Sequence, residues 1–244
     1  MNSTSSDELE RIAHSYHLND EVPDKFIEDL CQEHCCNWLS SLISPNDRVI
    51  ELGYGEGITL DRIAHKAKHY TVVEGAPSLV RMVRQKHLTV EVVGSLFEDY
   101  FPPQRYDKLL ALHVFEHVDN PVELGRHLRS WLNPGGEIVV IVPNSASLHR
   151  RLAVMMGLVP NLDTLSARDL LVGHRRVYHL DWLEADLRQA GFEPFERRGF
   201  FLKTLPNNMM LDYKPELIQA LNLLGDQIPV EMAANLAVRA KLKD

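Results

Sequence analysis

Three glycines at alternate positions form the most informative pattern in the sequence. Gly53, Gly55 and Gly57 follow an apolar run at 49–52 and precede a stretch with helical periodicity. Glycine adopts backbone angles that other residues avoid, and a loop without side chains can lie flat against a ligand. The free N–H groups at the start of the following helix attract negatively charged groups. The pattern therefore predicts a loop that binds a nucleotide-type cofactor.

A carboxylate ends the next apolar run. Glu74 closes the run 71–74, and a carboxylate in that position can accept hydrogen bonds from both hydroxyls of a ribose. Glu74 alone fits NAD or S-adenosylmethionine equally well. A dinucleotide fingerprint, Gly-x-Gly-x-x-Gly, requires a small residue at position 58, which is Ile58, and the third glycine is Gly57 instead. The glycine spacing therefore disfavours an NAD-dependent dehydrogenase.

Two histidines follow a further apolar run and have the chemistry of a general base. His113 is predicted at the carboxyl end of a strand, where parallel α/β sheets bind ligands, and His117 lies four residues later. Imidazole titrates near neutrality, so either side chain can take the proton of a nucleophilic hydroxyl. The alternative is that one or both only hydrogen-bond to the backbone and shape the loop.

The segment 145–180 is basic in an acidic chain. It contains five arginines against two aspartates, a net charge of +3, whereas the whole chain has a net charge of −8. Guanidinium groups bind carboxylates and phosphates through paired hydrogen bonds, which predicts an anionic substrate. The alternative is that these arginines lie on solvated helix faces. The candidate substrate contacts are Tyr16, His174, Arg175, Arg176 and Tyr178.

Alternating strands and helices must position these residues. Strands are predicted at 48–52, 69–73, 89–93, 108–112 and 137–142, and helices at 24–43, 58–66, 77–85 and 121–132. This alternation predicts a parallel sheet with helices on both faces. After Pro143 a helical insertion at 145–172, divided at Pro160, precedes a helix at 181–190 and a strand at 192–198. A second helical insertion at 214–224 precedes a last strand at 235–243.

Four sequence blocks occur in a fixed order. They are Glu51-Leu52-Gly53-Tyr54-Gly55-Glu56-Gly57, then Val73-Glu74, then Tyr106-Asp107 leading to His113-Val114-Phe115-Glu116-His117-Val118 and Pro121, then Leu132-Asn133-Pro134-Gly135-Gly136-Glu137. Over roughly residues 47–200 the chain thereby resembles the class I S-adenosylmethionine-dependent methyltransferases, which have a seven-stranded Rossmann-like fold. The resemblance is greatest to small-molecule enzymes such as the ubiquinone-biosynthesis O-methyltransferases. Tyr54 departs from this pattern, because the family usually has a small residue there, and a tyrosine would narrow or reshape the loop.

The resemblance implies a fold and a set of cofactor contacts. The expected fold is α/β, a mostly parallel seven-stranded sheet with an antiparallel last strand. A helical cap is expected at 1–46 and the cofactor domain at 47–244, with lid insertions at about 145–178 and 207–230. The implied cofactor is S-adenosylmethionine, with S-adenosylhomocysteine as product. The implied cofactor contacts are Glu51, Gly53, Tyr54, Gly55, Gly57, Glu74, Gly75, Ser95, Leu96 and His113, with Phe97 as a further candidate beside the adenine.

Composition narrows the class of protein. The net charge of −8 disfavours nucleic-acid binding, and no apolar run is long enough to span a bilayer. Cys31, Cys35 and Cys36 are too few and too close together for a disulfide framework, which favours the reducing cytoplasm. Nothing at recognisable spacing completes a metal site around these cysteines and His34, so no metal is expected. Homodimer formation is left open.

The predicted function is O-methylation of a small anionic metabolite or biosynthetic intermediate that carries a carboxylate, phosphate, phosphonate or sugar. N- or C-methylation remains an alternative, because an amine with a free lone pair needs less help from a base. A non-catalytic cofactor-binding protein of the same fold is an alternative from another class. The intact glycines and Glu74 disfavour it.

Overall fold

A single mixed sheet organises the chain. The computed structural model describes residues 5–243, and its seven strands lie in the order β3-β2-β1-β4-β5-β7-β6. The strands are β1 Arg48–Leu52, β2 His69–Glu74, β3 Glu91–Gly94, β4 Tyr106–Leu112, β5 Leu132–Pro143, β6 Phe192–Phe200 and β7 Asn235–Leu242. Only β7 is antiparallel to its neighbours, β5 and β6. The predicted fold class is therefore confirmed.

The helices cover both faces of the sheet. They are α1 Ser6–Ile12, α2 Lys25–Ser41, α3 Ile58–Ile63, α4 Pro77–Lys86, α5 Pro121–Arg129, α6 Leu148–Met155, α7 Ala167–Leu171, α8 Leu180–Gln189 and α9 Pro215–Gly225. Successive residues of β1 point to opposite faces, so Val49 belongs to one hydrophobic core and Ile50 to the other. No helix in the range 5–243 is long and apolar enough to span a membrane.

The strand order places a crevice beside β1. The chain runs outward from β1 to β2 and β3, then returns to pair β4 with the other edge of β1. Ligands of parallel α/β sheets bind at such a switch point, outside the carboxyl ends of the strands. The residues after β1, β2, β3 and β4 are therefore brought to one edge.

Several element boundaries differ from the sequence predictions. The helix expected at 58–66 ends at Ile63 and continues as a 3₁₀ turn at Ala64–Lys66. The helix expected at 121–132 ends at Arg129, and β5 already begins at Leu132. The sequence predicted only a polar lead before residue 24. The structure has α1 there, capped by the Ser5 side chain, which accepts from the Glu8 N–H at 3.2 Å.

The N-terminal segment and the rest of the chain share a core. Ile27 and Leu39 of α2 belong to the same buried cluster as Val49 of β1. The predicted division into a cap at 1–46 and a domain at 47–244 stays a prediction. Residues 1–4 of that cap and residue 244 of that domain lie outside the described residues. The segments predicted as lid insertions contain α6 and α7 in the first and α9 in the second.

Candidate cofactor and acceptor site

A cavity of about 1100 Å³ lies at the switch point. Cavities that hold one small ligand typically measure about 300–1,000 Å³, so this cavity has room for a cofactor and an acceptor together. Predicted site residues that line it are Tyr16, Glu51, Gly53, Tyr54, Gly55, Gly57, Glu74, Gly75, Ser95, Leu96, Phe97, His113, His117 and His174. Arg175, Arg176 and Tyr178 do not line the cavity.

The glycine loop presents bare backbone to this cavity. Gly53 has a φ of 79°, in the left-handed region, and a Cβ built there would meet no atom within 4 Å. Gly55 is equally open. Any side chain at these positions would project into free space beside the loop, which is the space that a flat-lying ligand needs. The loop therefore has the shape expected for the amino-acid end of S-adenosylmethionine.

Tyr54 reshapes the loop on the side of α4. A Cβ on Gly57 would overlap the Tyr54 ring, coming within 2.6 Å of Cε2 and closer to Cζ and the hydroxyl oxygen. The ring also packs edge-on to His87, with centroids 6.1 Å apart, and Tyr54 is 5% exposed. The bulky residue is thus accommodated because position 57 has no side chain. It leaves the faces of Gly53 and Gly55 open.

Glu74 links two of the loops that form the site. Its carboxylate accepts from the Tyr54 N–H at 2.9 Å and from the Ala76 N–H at 2.7 Å. Burial raises the pKa of Glu74. Each carboxylate oxygen has lone-pair capacity beyond its one backbone partner, so Glu74 can also accept ribose hydroxyls. The carboxylate therefore fits the role that the sequence predicts for it.

Helix α1 covers the cavity next to Glu74, which the sequence did not indicate. The Ser6 hydroxyl donates to the Gly75 carbonyl at 3.0 Å, and a Cβ on Gly75 would collide with Leu9. Glu10 accepts from the Ser78 N–H at 3.0 Å. Leu9 lines the cavity, so this short helix forms part of the cavity wall next to Glu74.

Glu51 is a buried acid beneath the glycine loop. The Tyr70 hydroxyl donates to its Oε2 at 2.9 Å. Burial raises the pKa of Glu51 to about 8, although hydrogen bonds from Tyr70 and Thr59 oppose that shift. The acid is therefore kept near its neutral form around physiological pH.

His113 lies at the end of β4 in an unusual backbone conformation. Its φ is 55°, which is uncommon for a residue other than glycine, and its N–H donates to the Ile141 carbonyl at 2.8 Å. Its Nδ1 lies 3.2 Å from Oε1 of Glu116, whose side chain is fully buried. Burial lowers the pKa of His113, but the hydrogen bond and charge of Glu116 outweigh that effect and raise it.

His117 and His174 meet at the cavity wall beside His113. Their rings make an edge-to-face contact with centroids 4.8 Å apart. His174 pairs through Nδ1 with Oδ1 of Asp169 at 2.9 Å. Burial lowers the pKa of His117 to about 4, so its ring is neutral at pH 7. The structure thus brings the predicted His174 into the site from the first lid insertion.

The other predicted substrate residues hold the loop at 115–119 in place. Arg176 donates to the backbone carbonyls of Phe115, Val118 and Asp119. Arg175 donates through Nε to the His117 carbonyl at 2.8 Å, and its Nη1 is 2.6 Å from the Asp119 carboxylate. These guanidinium groups are therefore engaged with the protein itself.

Tyr178 is buried away from the cavity. Its hydroxyl donates to Asp186 at 2.9 Å, and its backbone carbonyl accepts from the Ser145 N–H at 2.7 Å. Tyr178 is fully buried, so it packs within the core rather than facing a substrate.

Charged residues that the sequence did not single out close the far end of the cavity. Arg168 of α7 pairs with Asp24 and donates to the Tyr16 hydroxyl at 2.8 Å. Glu28 of α2 lies 3.3 Å from the Lys203 ammonium and accepts from the Asn207 amide at 2.6 Å. Burial opposes the ionisation of Glu28, but Lys203, Arg168 and Asn207 lower its pKa to about 2.

Comparison with known proteins identifies the family. A family model described as a methyltransferase domain matches residues 26–196. A ubiquinone biosynthesis O-methyltransferase of Xylella fastidiosa is 26% identical over 115 residues, 45% of each chain. A malonyl-[acyl-carrier protein] O-methyltransferase of Ilyobacter polytropus is 28% identical over 118 residues, 45% of this chain and 46% of the relative. The chain spans about half the length of the curated relatives it matches.

Solved structures share the fold at low identity. A Thermotoga maritima S-adenosylmethionine-dependent methyltransferase, described as a possible histamine N-methyltransferase, has a TM-score of 0.60 at 18% identity, covering 97% of this chain and 100% of that one. The N-methyltransferase NodS of Bradyrhizobium japonicum, in complex with S-adenosylhomocysteine, has a TM-score of 0.53 at 13% identity, covering 94% and 92%. A Haloferax volcanii complex of the Trm112 methyltransferase activator and a methyltransferase has a TM-score of 0.64 at 15% identity, covering 96% and 98%.

The family match extends over most of the chain and over all four sequence blocks that predicted it. It confirms S-adenosylmethionine as the cofactor, and the open glycine loop, Glu74 and the large cavity fit that molecule. The chain belongs to the methyltransferase domain family, in the class I S-adenosylmethionine-dependent group.

Proposed function

We propose that the protein transfers a methyl group to a hydroxyl of a small acceptor, with His113 as the base. The observation that carries this proposal is the His113–Glu116 pair at the end of β4, where an imidazole lining the cavity is held by a fully buried carboxylate. Since Nδ1 faces Glu116, Nε2 is the nitrogen left to accept a proton. S-adenosylmethionine, when bound, supplies an activated methyl group on a sulfonium.

Glu116 and the cavity wall prepare His113 for this role. A buried carboxylate fixes the tautomer and orientation of its histidine partner and stabilises the imidazolium that forms when a proton is taken. The backbone bond to Ile141 and the left-handed φ hold the His113 ring at one place on the wall. His117, the other predicted base, instead packs edge-on against the ring of His174, which belongs to the segment predicted as the first lid insertion.

The acceptor carries an anionic group in this proposal, with contacts that differ from the predicted arginines. Lys203 lines the cavity, and its ammonium is 3.3 Å from Glu28, longer than the about 2.7–2.9 Å of a strong charge-assisted hydrogen bond. An ammonium has three donors, so Lys203 can bind an acceptor carboxylate or phosphate as well. Lys203→Met should raise KM for an anionic acceptor and leave the affinity for S-adenosylhomocysteine unchanged.

The decisive experiment compares chemistry with cofactor binding. Labelled S-adenosylmethionine is used to screen hydroxyl-bearing metabolites, and turnover of the best acceptor is then measured with His113→Ala and His113→Asn. Loss of a general base should lower kcat by about 10²–10⁴-fold, while calorimetry shows S-adenosylhomocysteine binding within about threefold of wild type. Near-native turnover in both variants would rule out His113 as the base.

N-methylation is the second candidate. Two fold neighbours are described as N-methyltransferases, one of them tentatively in its own description, and the carboxylates of Asp24 and Glu28 line the acceptor end of the cavity. An amine acceptor in its free-base form needs no base at the moment of transfer, so the same His113 variants would retain activity on it. Acceptor screens with matched alcohols and amines therefore separate the two candidates.

The proposed cellular location and binding partners rest on the sequence. The proposed setting is the cytoplasm, with a small-molecule acceptor, no nucleic-acid partner and homodimer formation to be tested by light scattering. One fold neighbour occurs in complex with the Trm112 methyltransferase activator, which makes co-purification with such an activator a worthwhile control.

A further inference from the structure

Three side chains from two distant segments come together beside His113, with His117 and His174 lining the cavity and Glu116 buried next to them. Glu116 and His117 follow β4, and His174 belongs to the first lid insertion; we call them the lid-junction cluster. One potential ligand atom from each residue lies within 4.8 Å of those of the other two. Within residues 5–243, this is the group of three histidine, cysteine or acidic side chains whose ligand atoms lie close enough together to hold a metal ion. The sequence analysis expected no metal, because nothing at recognisable spacing completes a ligand set around the cysteines and His34, and it did not single out this cluster.

The cluster contains an unpaired buried acceptor. Glu116 is fully buried, and its Oε1 faces His113, whereas its Oε2 has no hydrogen-bond partner. A buried polar atom without a partner is costly, and more so when it is charged. A cation at Oε2 would remove this cost.

One of the two histidines is already oriented as metal ligands usually are. Nδ1 of His174 is held by Oδ1 of Asp169 at 2.9 Å, which leaves Nε2 for an ion. The His117 ring packs edge-on against the His174 ring, with centroids 4.8 Å apart. Metal-binding histidines typically donate their other ring N–H to a carboxylate or a backbone carbonyl, which fixes the ring and its tautomer. The cluster therefore has supporting contacts as well as ligands.

We propose that Glu116, His117 and His174 bind one divalent transition-metal ion of the zinc, cobalt or iron type. Metal–ligand bonds of about 2.1 Å place neighbouring ligand atoms about 3.4 Å apart, so side-chain rotations that bring atoms up to 4.8 Å apart closer by at most about 1.4 Å complete the site. Two imidazoles and one carboxylate favour these ions over magnesium and calcium, which prefer oxygen ligands. This proposal goes beyond the methyl transfer proposed above and does not depend on it.

The ion would fasten the predicted first lid insertion to the loop at 115–119. His174 lies next to Arg175 and Arg176, which already bond to backbone carbonyls of that loop, so the metal would add a further link between the same two segments. His117 and His174 line the cavity, and three protein ligands leave a fourth position open on that side. Water completes the coordination in the absence of an acceptor.

The test titrates Co²⁺ into the full-length protein after treatment with a chelator and removal of any affinity tag. We expect one equivalent to bind, visible absorption bands of tetrahedral or five-coordinate Co²⁺, and a rise in Tm on binding. His174→Ala should weaken Co²⁺ binding at least about tenfold. His149→Ala is the matched control, because His149 is another half-buried cavity histidine, outside the cluster, and it should bind Co²⁺ as wild type does.

Three outcomes would overturn the proposal. Absence of one-to-one Co²⁺ uptake by the wild-type protein would show that a histidine proton satisfies Glu116 instead. His174→Ala binding Co²⁺ as tightly as wild type, or His149→Ala losing as much affinity, would place the ion elsewhere. If His174→Ala fails to fold, His174→Gln serves in its place, and the wild-type titration stands on its own.

Discussion

The contact between Tyr54 and Gly57 allows a quantitative test of how the glycine loop is built. Gly57→Ala places a methyl group where the buried Tyr54 ring lies, at a backbone φ of 79°. The left-handed conformation costs an alanine about 1–2 kcal/mol, and overpacking of a filled site costs about 1–3 kcal/mol. The free energy of unfolding should therefore fall by about 2–5 kcal/mol.

A neighbouring glycine provides the matched control. Gly53 has the same φ of 79°, but a Cβ there meets no atom within 4 Å. Gly53→Ala should therefore show the conformational cost alone, about 1–2 kcal/mol. For the same loss of stability, Gly53→Ala should weaken cofactor binding more than Gly57→Ala does, because its methyl group enters the space left for the ligand.

Urea denaturation followed by circular dichroism measures the stabilities, and calorimetry with S-adenosylhomocysteine measures the affinities. The double variant Tyr54→Ala/Gly57→Ala should be less destabilised than the sum of its single variants by about 1–3 kcal/mol, since removing the ring removes the collision. Equal losses for Gly57→Ala and Gly53→Ala, or strict additivity in the double variant, would refute the packing argument.

Three further predictions test other parts of the site. Arg176→Gln should lower the free energy of unfolding by about 2–4 kcal/mol in urea denaturation, because the guanidinium donates to three backbone carbonyls; near-native stability would contradict this. Burial raises the pKa of Glu51 to about 8, so the folded protein holds that proton after the unfolded chain has lost it, and stability falls as pH rises from about 4.5 to 8. Calorimetry should show Glu51→Gln raising Tm more at pH 8 than at pH 5, whereas the exposed control Glu216→Gln changes Tm equally at both; equal shifts for Glu51→Gln would disprove the raised pKa. Leu9→Ala should weaken S-adenosylhomocysteine binding about tenfold, since Leu9 packs on Gly75 at the cavity edge, and an unchanged Kd would show that α1 does not cover the cofactor.

The cofactor half of the site was predictable because its signals are local. The glycine loop is a strand–turn–helix unit formed by residues adjacent in the sequence. Glu74 and His113 each end an apolar run. Parallel strands bring their carboxyl ends to one edge, so residues far apart in sequence are placed together once the strand order is known. The sequence pattern therefore contained both the loop and the residues facing it.

The covering half was not predictable, because its contacts are non-local. Helix α1 has seven residues, too few to be stable alone, and it depends on Leu9 against Gly75 and on Ser6 bonding to the same glycine. The charge of segment 145–180 showed that arginines are present but not what they bind. Arg176 donates to carbonyls 57 to 61 residues away in the chain.

The same division explains why acceptor choice is harder to infer than the reaction class. The strand ends hold the residues that the sequence predicts for methyl transfer, whereas the proposed acceptor end of the cavity is assembled from α2, α7 and the segment after β6, through Glu28, Arg168 and Lys203. Arg168 pairs with Asp24, and Lys203 pairs with Glu28. The positive charge available to an acceptor therefore depends on which of these two ion pairs opens when the acceptor binds. Substitutions in this pairing should therefore change which acceptors are used before they change cofactor affinity. Substitutions in the glycine loop should do the reverse.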